Sequence, residues 1–329
     1  MDQTSRSLNR GHALSVLAGA AGLAATGLPR GAFAQQLTKL TIGTAGADAN
    51  AGAYYAQDNG FFKKYGLDAD VQVVRGSGAG AIQALTGGAI DIGEADLIAL
   101  SAAREHGLPI VFLSPSGTYN GQAPTTVLCV AKASSFQNAK DLVGKTIGVL
   151  SLEGPSKVGT SAWLDKNGVD PTTVKFVEFS APAMATAIER GTIDAATINE
   201  PFLTPAKIDK VRVLADPYDS IAPRFMISCW CATADWVKKN TPTAKAFVNA
   251  MRETNAWADV PANHERSGEI LAKRRNIDPA LMSKMARASY LAIFDPVVAQ
   301  PLIDAAVKYH SLQKNYNVKE IVSSVTLLK

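Results

Sequence analysis

The chain has 329 residues, 47% hydrophobic and 19% charged, a length and composition that suggest about two domains, each able to bury its own core. The formal net charge of +4 owes much to Arg6, Arg10 and Arg30 near the start, set against Asp2 alone, and no Lys/Arg cluster suited to neutralising phosphates follows. Nucleic acid is thereby excluded as a partner class.

The first segment reads as a signal peptide, residues 1–34. Arg6 and Arg10 give a positive start, Ala13–Leu28 is apolar, and Ala32-Phe33-Ala34 places small residues at the −3 and −1 positions before Gln35. The apolar run is shorter than the roughly 20 residues that span a bilayer, so removal is expected instead of anchoring. No cysteine stands at the cleavage point, which excludes lipid attachment there, and the two arginines are not adjacent, a poor fit to twin-arginine export. The expected product is exported, soluble, monomeric and not a lipoprotein.

After residue 35 the chain spells one unit twice. "KLTIGTAG" (Lys39–Gly46) and "GKTIGVLSLEG" (Gly144–Gly154) are β-rich runs opening into small-residue loops. Helical segments follow, "NAGAYYAQDNG" and "SKVGTSAWLDKNG", and both stop at Asn-Gly, where Gly60 and Gly168 suit the left-handed position past a helix end. The β-branched runs Val71–Val74 and Val174–Phe179 come next. Two further helices, Gly78–Gly88 and Ala181–Gly191, lead into "GAIDIGEAD" (Gly88–Asp96) and "GTIDAATINEP" (Gly191–Pro201). Strands alternating with short helices imply parallel sheets with helices on both faces. The polar residues closing each phrase then sit at the carboxyl edge of a sheet, where ligands bind in open α/β folds.

Pro124–Ala133 and Phe225–Val237 are β-rich runs flanking the second copy, and they read as two strands crossing between lobes. The domain organisation expected is therefore lobe 1 from residues 35–133 and 225–329, with lobe 2, residues 134–224, inserted. Beyond Thr241 the pattern is helical. Phe247, Met251, Thr254 and Trp257 recur at helical spacing, and Asp278-Pro279 and Asp295-Pro296 pair an N-cap with proline at the first helical position. This tail is expected to pack on lobe 1.

Catalytic chemistry is hard to find. No GxSxG occurs, and none of His12, His106, His264 and His310 falls in a loop after a duplicated strand. "VGKTIG" lacks the first glycine of a phosphate loop, Ala139 standing in its place, and it precedes a strand instead of opening a helix. "GSGAGA" (Gly76–Ala81) fits a dinucleotide fingerprint in spelling but follows the second strand of its unit, not the first. Its glycines are better read as letting backbone N–H groups at a helix start approach an anion. Cys229 and Cys231 alternate on one strand and are poorly placed to bond each other; a bridge from Cys129 to either stays open, with buried free thiols favoured. No metal spacing and no cofactor signature is present. Four helix starts, in "TAGADANAG", "GSGAG", "LEGPSKVGTS" and "FSAPA", gather along one edge and together form an anion trap. Taken singly, Ser156 and Ser180 read as helix caps.

"AYYAQDNGFFKKYGLDADVQVV" followed by "AIQALTGGAIDIGEAD", with "DLVGKTIGV", "NEPF" and "ADWVKKNTPTAKAFVNAM", resembles the solute-binding proteins of ABC importers for nitrate, sulfonates, taurine and thiamine-pyrimidine precursors. The resemblance implies a type II periplasmic-binding-protein fold: two βαβ-type α/β lobes joined by two crossing strands, a helical tail on lobe 1, and hinge closure over a small anionic or zwitterionic solute in the periplasm. It implies as partners an ABC transporter permease and its ATPase. Carried over residue by residue, Asp48, Asn50, Ser77, Gly78, Glu94 and Asp96 line one wall, and Ser156, Thr160, Asn199 and Glu200 the other. Glu200 stands where the family often has a carboxylate facing a ligand nitrogen. Asn199 replaces the tryptophan common before it, leaving Tyr119 to supply an aromatic wall. Some pyrimidine and menaquinone-precursor enzymes resemble the same family, but the cleft segments carry neither His nor Cys, so binding is expected and not catalysis.

Overall fold

A computed structural model describes residues 36–75 and 77–328, without the side chain of Ser77; the expected export segment lies outside them. The strands in chain order are β1 (Thr38–Thr44), β2 (Leu67–Val73), β3 (Ile92–Asp96), β4 (Ile110–Pro115), β5 (Gly117–Asn120), β6 (Thr126–Ala131), β7 (Thr146–Val149), β8 (Lys175–Glu178), β9 (Ala195–Asn199), β10 (Val211–Ala215), β11 (Arg224–Met226), β12 (Ser228–Thr233) and β13 (Ser289–Tyr290). They form two five-stranded sheets that match position for position, β2-β1-β3-β12-β4 and β8-β7-β9-β6-β10. In each, the first three strands are parallel. The fourth, β12 or β6, runs antiparallel to both its neighbours.

Pro124–Ala133 does not make the crossing, and of Phe225–Val237 only its first two residues, in β11, take part in it. Thr126–Ala131 lies within the second sheet and Ser228–Thr233 within the first. Each is almost continuously buried, as a central strand covered on both faces must be. The crossing falls one short strand earlier in each direction, where β5 and β11 pair antiparallel with Tyr119 opposite Phe225, and β13 adds a third strand.

The repeated phrase has a structural cause. Gly88 and Gly191 take φ of +69° and +68°, ending their helices in the left-handed region. Ile90 and Ile193 then turn inward over Gly43 and Gly148 in the middle of β1 and β7. A Cβ at those glycines would lie 2.6 and 2.7 Å from the isoleucine Cδ1 atoms, so only glycine leaves room. Asp91 and Asp194 finish the unit. Each donates its N–H to the carbonyl of Thr41 or Thr146 at 2.9 Å, and each side chain accepts the N–H of that same threonine at 2.8 Å. Helix stop, knob into glycine and strand clamp are thus one device, built twice. Gly60 and Gly168 also adopt positive φ as expected.

The helix Thr241–Ala258 lays Phe247 and Met251 against Leu40, Ile42 and Trp230, covering one face of the first sheet. Full burial of a side chain such as Phe247 stabilises the fold by about 1.5–3 kcal/mol. Trp257 is half-buried against Tyr55, with ring centres 5.8 Å apart. Asp278 and Asp295 cap their helices through Ala280 and Val297. The helix Pro296–Lys308 covers the opposite face, with Leu302 and Ile303 near Phe112. Cys129, Cys229 and Cys231 are all free and buried, and burial raises each thiol well above its ordinary range.

Candidate functional site

The carboxyl edges of β1 and β3 face those of β7 and β9 across a cavity of about 930 Å³. From the first sheet it is walled by the turn before and through Asn50, by Arg75 and Gly78 after β2, and by Glu94 and Asp96 at the end of β3. The second sheet contributes Ser156, the stretch Glu178–Pro182 and Asn199. Three helix starts open onto it, those of Ser77–Thr86, Pro155–Lys166 and Ala181–Glu189.

Glycine at 78 is required by proximity: a Cβ there would sit 2.5 Å from Asp96 Oδ2 and 2.7 Å from Ala99 Cβ. Asp96 itself caps the helix Leu97–Glu105 by accepting the Ala99 N–H at 2.9 Å. Burial raises its carboxyl to about 6, against the pull of those backbone donors. Ser180 makes no side-chain cap bond, and the Ser156 hydroxyl accepts the Leu150 N–H at 3.1 Å from inside its helix. Ser180 holds the expected N-cap position without a side-chain bond, Ser156 does not cap its helix, and both line the cavity. Asn199 Oδ1 is buried with no hydrogen-bond partner among the described residues, leaving an acceptor for a donor from outside the chain.

Glu94, only 3% exposed, forms the floor. Its Oε1 receives Ser116 Oγ at 2.5 Å and Ser228 Oγ at 3.3 Å, and its Oε2 lies 2.6 Å from Thr44 Oγ1. Burial raises this carboxyl to about 7, outweighing the hydrogen bonds of Ser116, Thr44, Asn50 and Ser228.

The model of one family, NMT1/THI5 like, matches residues 48–264, most of the chain and every strand around the cavity except β1. The chain belongs to the NMT1/THI5-like family. A taurine-binding periplasmic protein of Escherichia coli is 30% identical over 70% of this chain and 72% of its own length. Among solved structures, the ligand-binding component of an ABC-type import system from Staphylococcus aureus superposes with a TM-score of 0.75 at 14% identity, covering 87% of this chain and 96% of that one. The aliphatic sulphonate-binding protein SsuA from Escherichia coli gives 0.69 at 20% identity, covering 86% and 97%. The fold is that of periplasmic binding proteins.

Within this family fold, four expected site residues are turned away from the cavity. Asp48 is buried behind the turn, 2.9 Å from Arg287, and it accepts the Ala288 N–H at 2.6 Å and the Tyr55 hydroxyl at 3.2 Å. Thr160 is fully buried, donating to the Ser156 carbonyl and touching Thr197 Oγ1 at 3.2 Å. Glu200 folds back on its own helix, accepting the Thr204 hydroxyl at 2.6 Å and its N–H at 3.1 Å, and burial raises it to about 7. Tyr119 packs in the crossing strands against Tyr218 and Phe225 and donates to Asp219 at 2.8 Å. The aromatic side chains at the cavity are instead Phe179, Phe202 and Tyr218. Asn50, Gly78, Glu94, Asp96, Ser156 and Asn199 do come together there; the Ser77 side chain lies outside the described residues.

Two arginines were not foreseen. Arg75 sits directly before the glycine turn after β2, a position from which its place at the edge was readable. Arg275 arrives from the helical tail, where the run Lys273-Arg274-Arg275 reads as an ordinary basic helix end. Its guanidinium lies 5.5 Å from the centre of the Phe202 ring, bridging the two sides of the cavity. A second bridge joins the Asp48 N–H to the Glu200 carbonyl at 3.2 Å.

Proposed function

We propose that the protein is the exported solute-binding component of an ABC import system, taking up a small anionic or zwitterionic organic solute and delivering it to a permease and its ATPase. The observation that carries this reading is the polarity of the cavity. Helix starts, Arg75 and Arg275 offer positive potential, whereas Glu94, Asp96 and Asn199 Oδ1 offer acceptors. A sulfonate or carboxylate fits the first set, and an ammonium or N–H group the second. With Glu200 committed to Thr204, the nitrogen-facing role falls to Glu94. A cavity of about 930 Å³ has room for an organic molecule larger than nitrate. The taurine- and sulfonate-binding relatives support the same class. Neither cysteine nor histidine lines the cavity among the described residues, which supports capture over turnover. No helix among the described residues is long and apolar enough to cross a membrane.

The test is a thermal-shift panel of taurine, alkanesulfonates, nitrate, carboxylates and pyrimidines on exported protein. A ligand at a hundred times its dissociation constant adds about 2.7 kcal/mol to the stability of the folded form. A sulfonate or amino-sulfonate is expected to raise the melting temperature by several degrees. If no member of the panel shifts it, or a bound solute is chemically converted, the reading fails.

A further inference from the structure

Hydrogen atoms around Glu94 do not add up if its carboxyl is ionised. Thr44 Oγ1 lies 2.7 Å from the Asn50 carbonyl oxygen and 2.6 Å from Glu94 Oε2. A hydroxyl has one hydrogen, and a carbonyl oxygen has none to give. With a carboxylate, one of these two short contacts would be acceptor against acceptor in a buried site, an arrangement that costs a full unmade hydrogen bond. Both contacts are satisfied in one way: Glu94 donates to Thr44, and Thr44 donates to Asn50. The opposite oxygen is satisfied in either protonation state, Ser116 donating to it and Ser228 to the Ala49 carbonyl, so the Thr44 contacts alone carry the count. Ser116 and Ser228 place their hydroxyls at 2.5 and 3.3 Å from Glu94 Oε1, and both also lie 3.3 Å from the Ala49 carbonyl.

We propose that Glu94 is a neutral acid before solute binds, and that it selects amine-bearing solutes by surrendering its proton when an ammonium group arrives. This rests on the solute-binding reading of the cavity. The balance is simple: acid plus ammonium gives a carboxylate–ammonium pair, and one proton leaves to solvent. Thr44 then turns its hydrogen to Glu94 Oε2, and the Asn50 carbonyl is released as an additional acceptor at the cavity wall. A purely anionic solute leaves the acid neutral and releases nothing.

Four of the titratable groups around Glu94 do not supply the proton in its place. Tyr54 on the helix Gly52–Asp58 and Tyr290 on β13 are both raised by burial. Cys229 and Cys231 on the neighbouring β12 are raised by burial too, so all four stay neutral near pH 7. Asp96 on β3 is the other acid of the cavity, held near 6 by burial, and Arg75 and Arg275 are its cations.

The test measures protons directly. Taurine and ethanesulfonate are titrated calorimetrically into wild type and Glu94→Gln at about pH 6, in two buffers of different ionisation enthalpy. Wild type is expected to release close to one proton with taurine and none with ethanesulfonate, and its taurine affinity is expected to strengthen as pH rises towards neutrality, by up to about tenfold per unit. Asp96 remains in both proteins, so release that is undiminished in Glu94→Gln overturns the proposal, as does equal release with both probes. If neither probe binds, the sulfonate reading of the cavity falls, and the coupling with it. A ligand-free measurement separates the two failures and does not depend on the variant folding. In wild type labelled at the glutamate δ-carbon, the Glu94 resonance, assigned through Gly93 and Ala95, is expected to titrate near neutrality. Full ionisation at about pH 5 overturns the proposal whatever the solute.

Discussion

Replacing Arg287 by methionine tests whether the turn that walls the cavity depends on a side chain remote from it. Arg287 is 7% exposed and lies 2.9 Å from Asp48, which is 1% exposed. It also donates to Tyr55 Oη at 2.6 Å and Ser267 Oγ at 2.8 Å. Methionine keeps most of the volume and removes the charge, stranding the Asp48 carboxylate with the Ala288 N–H and the Tyr55 hydroxyl. Breaking one partner of a buried pair costs about 3–5 kcal/mol. For a chain of this size, at about 2 °C per kcal/mol, the melting temperature should fall by roughly 6–10 °C. Calorimetric melts of Arg287→Met, Asp48→Asn and the double variant complete the cycle. The double variant should lose less than the sum of the singles by about 2 kcal/mol or more, because it no longer buries an unpaired charge. A single variant melting within about 2 °C of wild type, or strict additivity in the cycle, would show that the pair does not hold the turn.

Gly148→Ala forces a Cβ to 2.7 Å from Ile193 Cδ1; denaturant unfolding should show a loss of about 1–3 kcal/mol, largely relieved by adding Ile193→Ala. Gly78→Ala drives a Cβ against the Asp96 carboxyl, so calorimetry should find weaker binding of whichever panel solute wild type accepts; unchanged affinity would remove the helix start from the site. Burial raises Glu94 and Glu200 to about 7 and Asp96 to about 6, so the native state holds protons that the unfolded chain gives up from about pH 4.5 upward. Their stabilisation is complete below the ordinary carboxylate range and is lost as pH rises towards 7; melting temperature should decline from pH 5 to 7 and decline less in Glu200→Gln, and a rise across that window would contradict the sign.

The sequence carried the repeated unit because its cause is local and covalent in spacing. Gly88, Ile90 and Asp91 need fixed offsets from one another, and the same holds for Gly191, Ile193 and Asp194. It carried the cavity edge for the same reason, since strand ends follow from strand positions. Side-chain direction is another matter. Asp48, Thr160 and Glu200 lie at the right edge but bond to Arg287, Thr197 and Thr204, partners whose nearness depends on packing that no local pattern encodes. Tyr119 was displaced by the crossing falling at β5 instead of β6. Arg275 was invisible because nothing in the periodicity of a tail helix says which loop its last turn will overhang.

The order of strands dictates an order of assembly. Every strand of the second sheet comes from one unbroken stretch, residues 126–215, whereas the first sheet keeps a vacant slot between β3 and β4 until Ser228–Thr233 arrives. A chain emerging from its N-terminus therefore exposes two open strand borders, rich in buried-type residues, for as long as it takes to make the intervening hundred-odd residues. The inserted half is free to close early; the half that begins first must finish last.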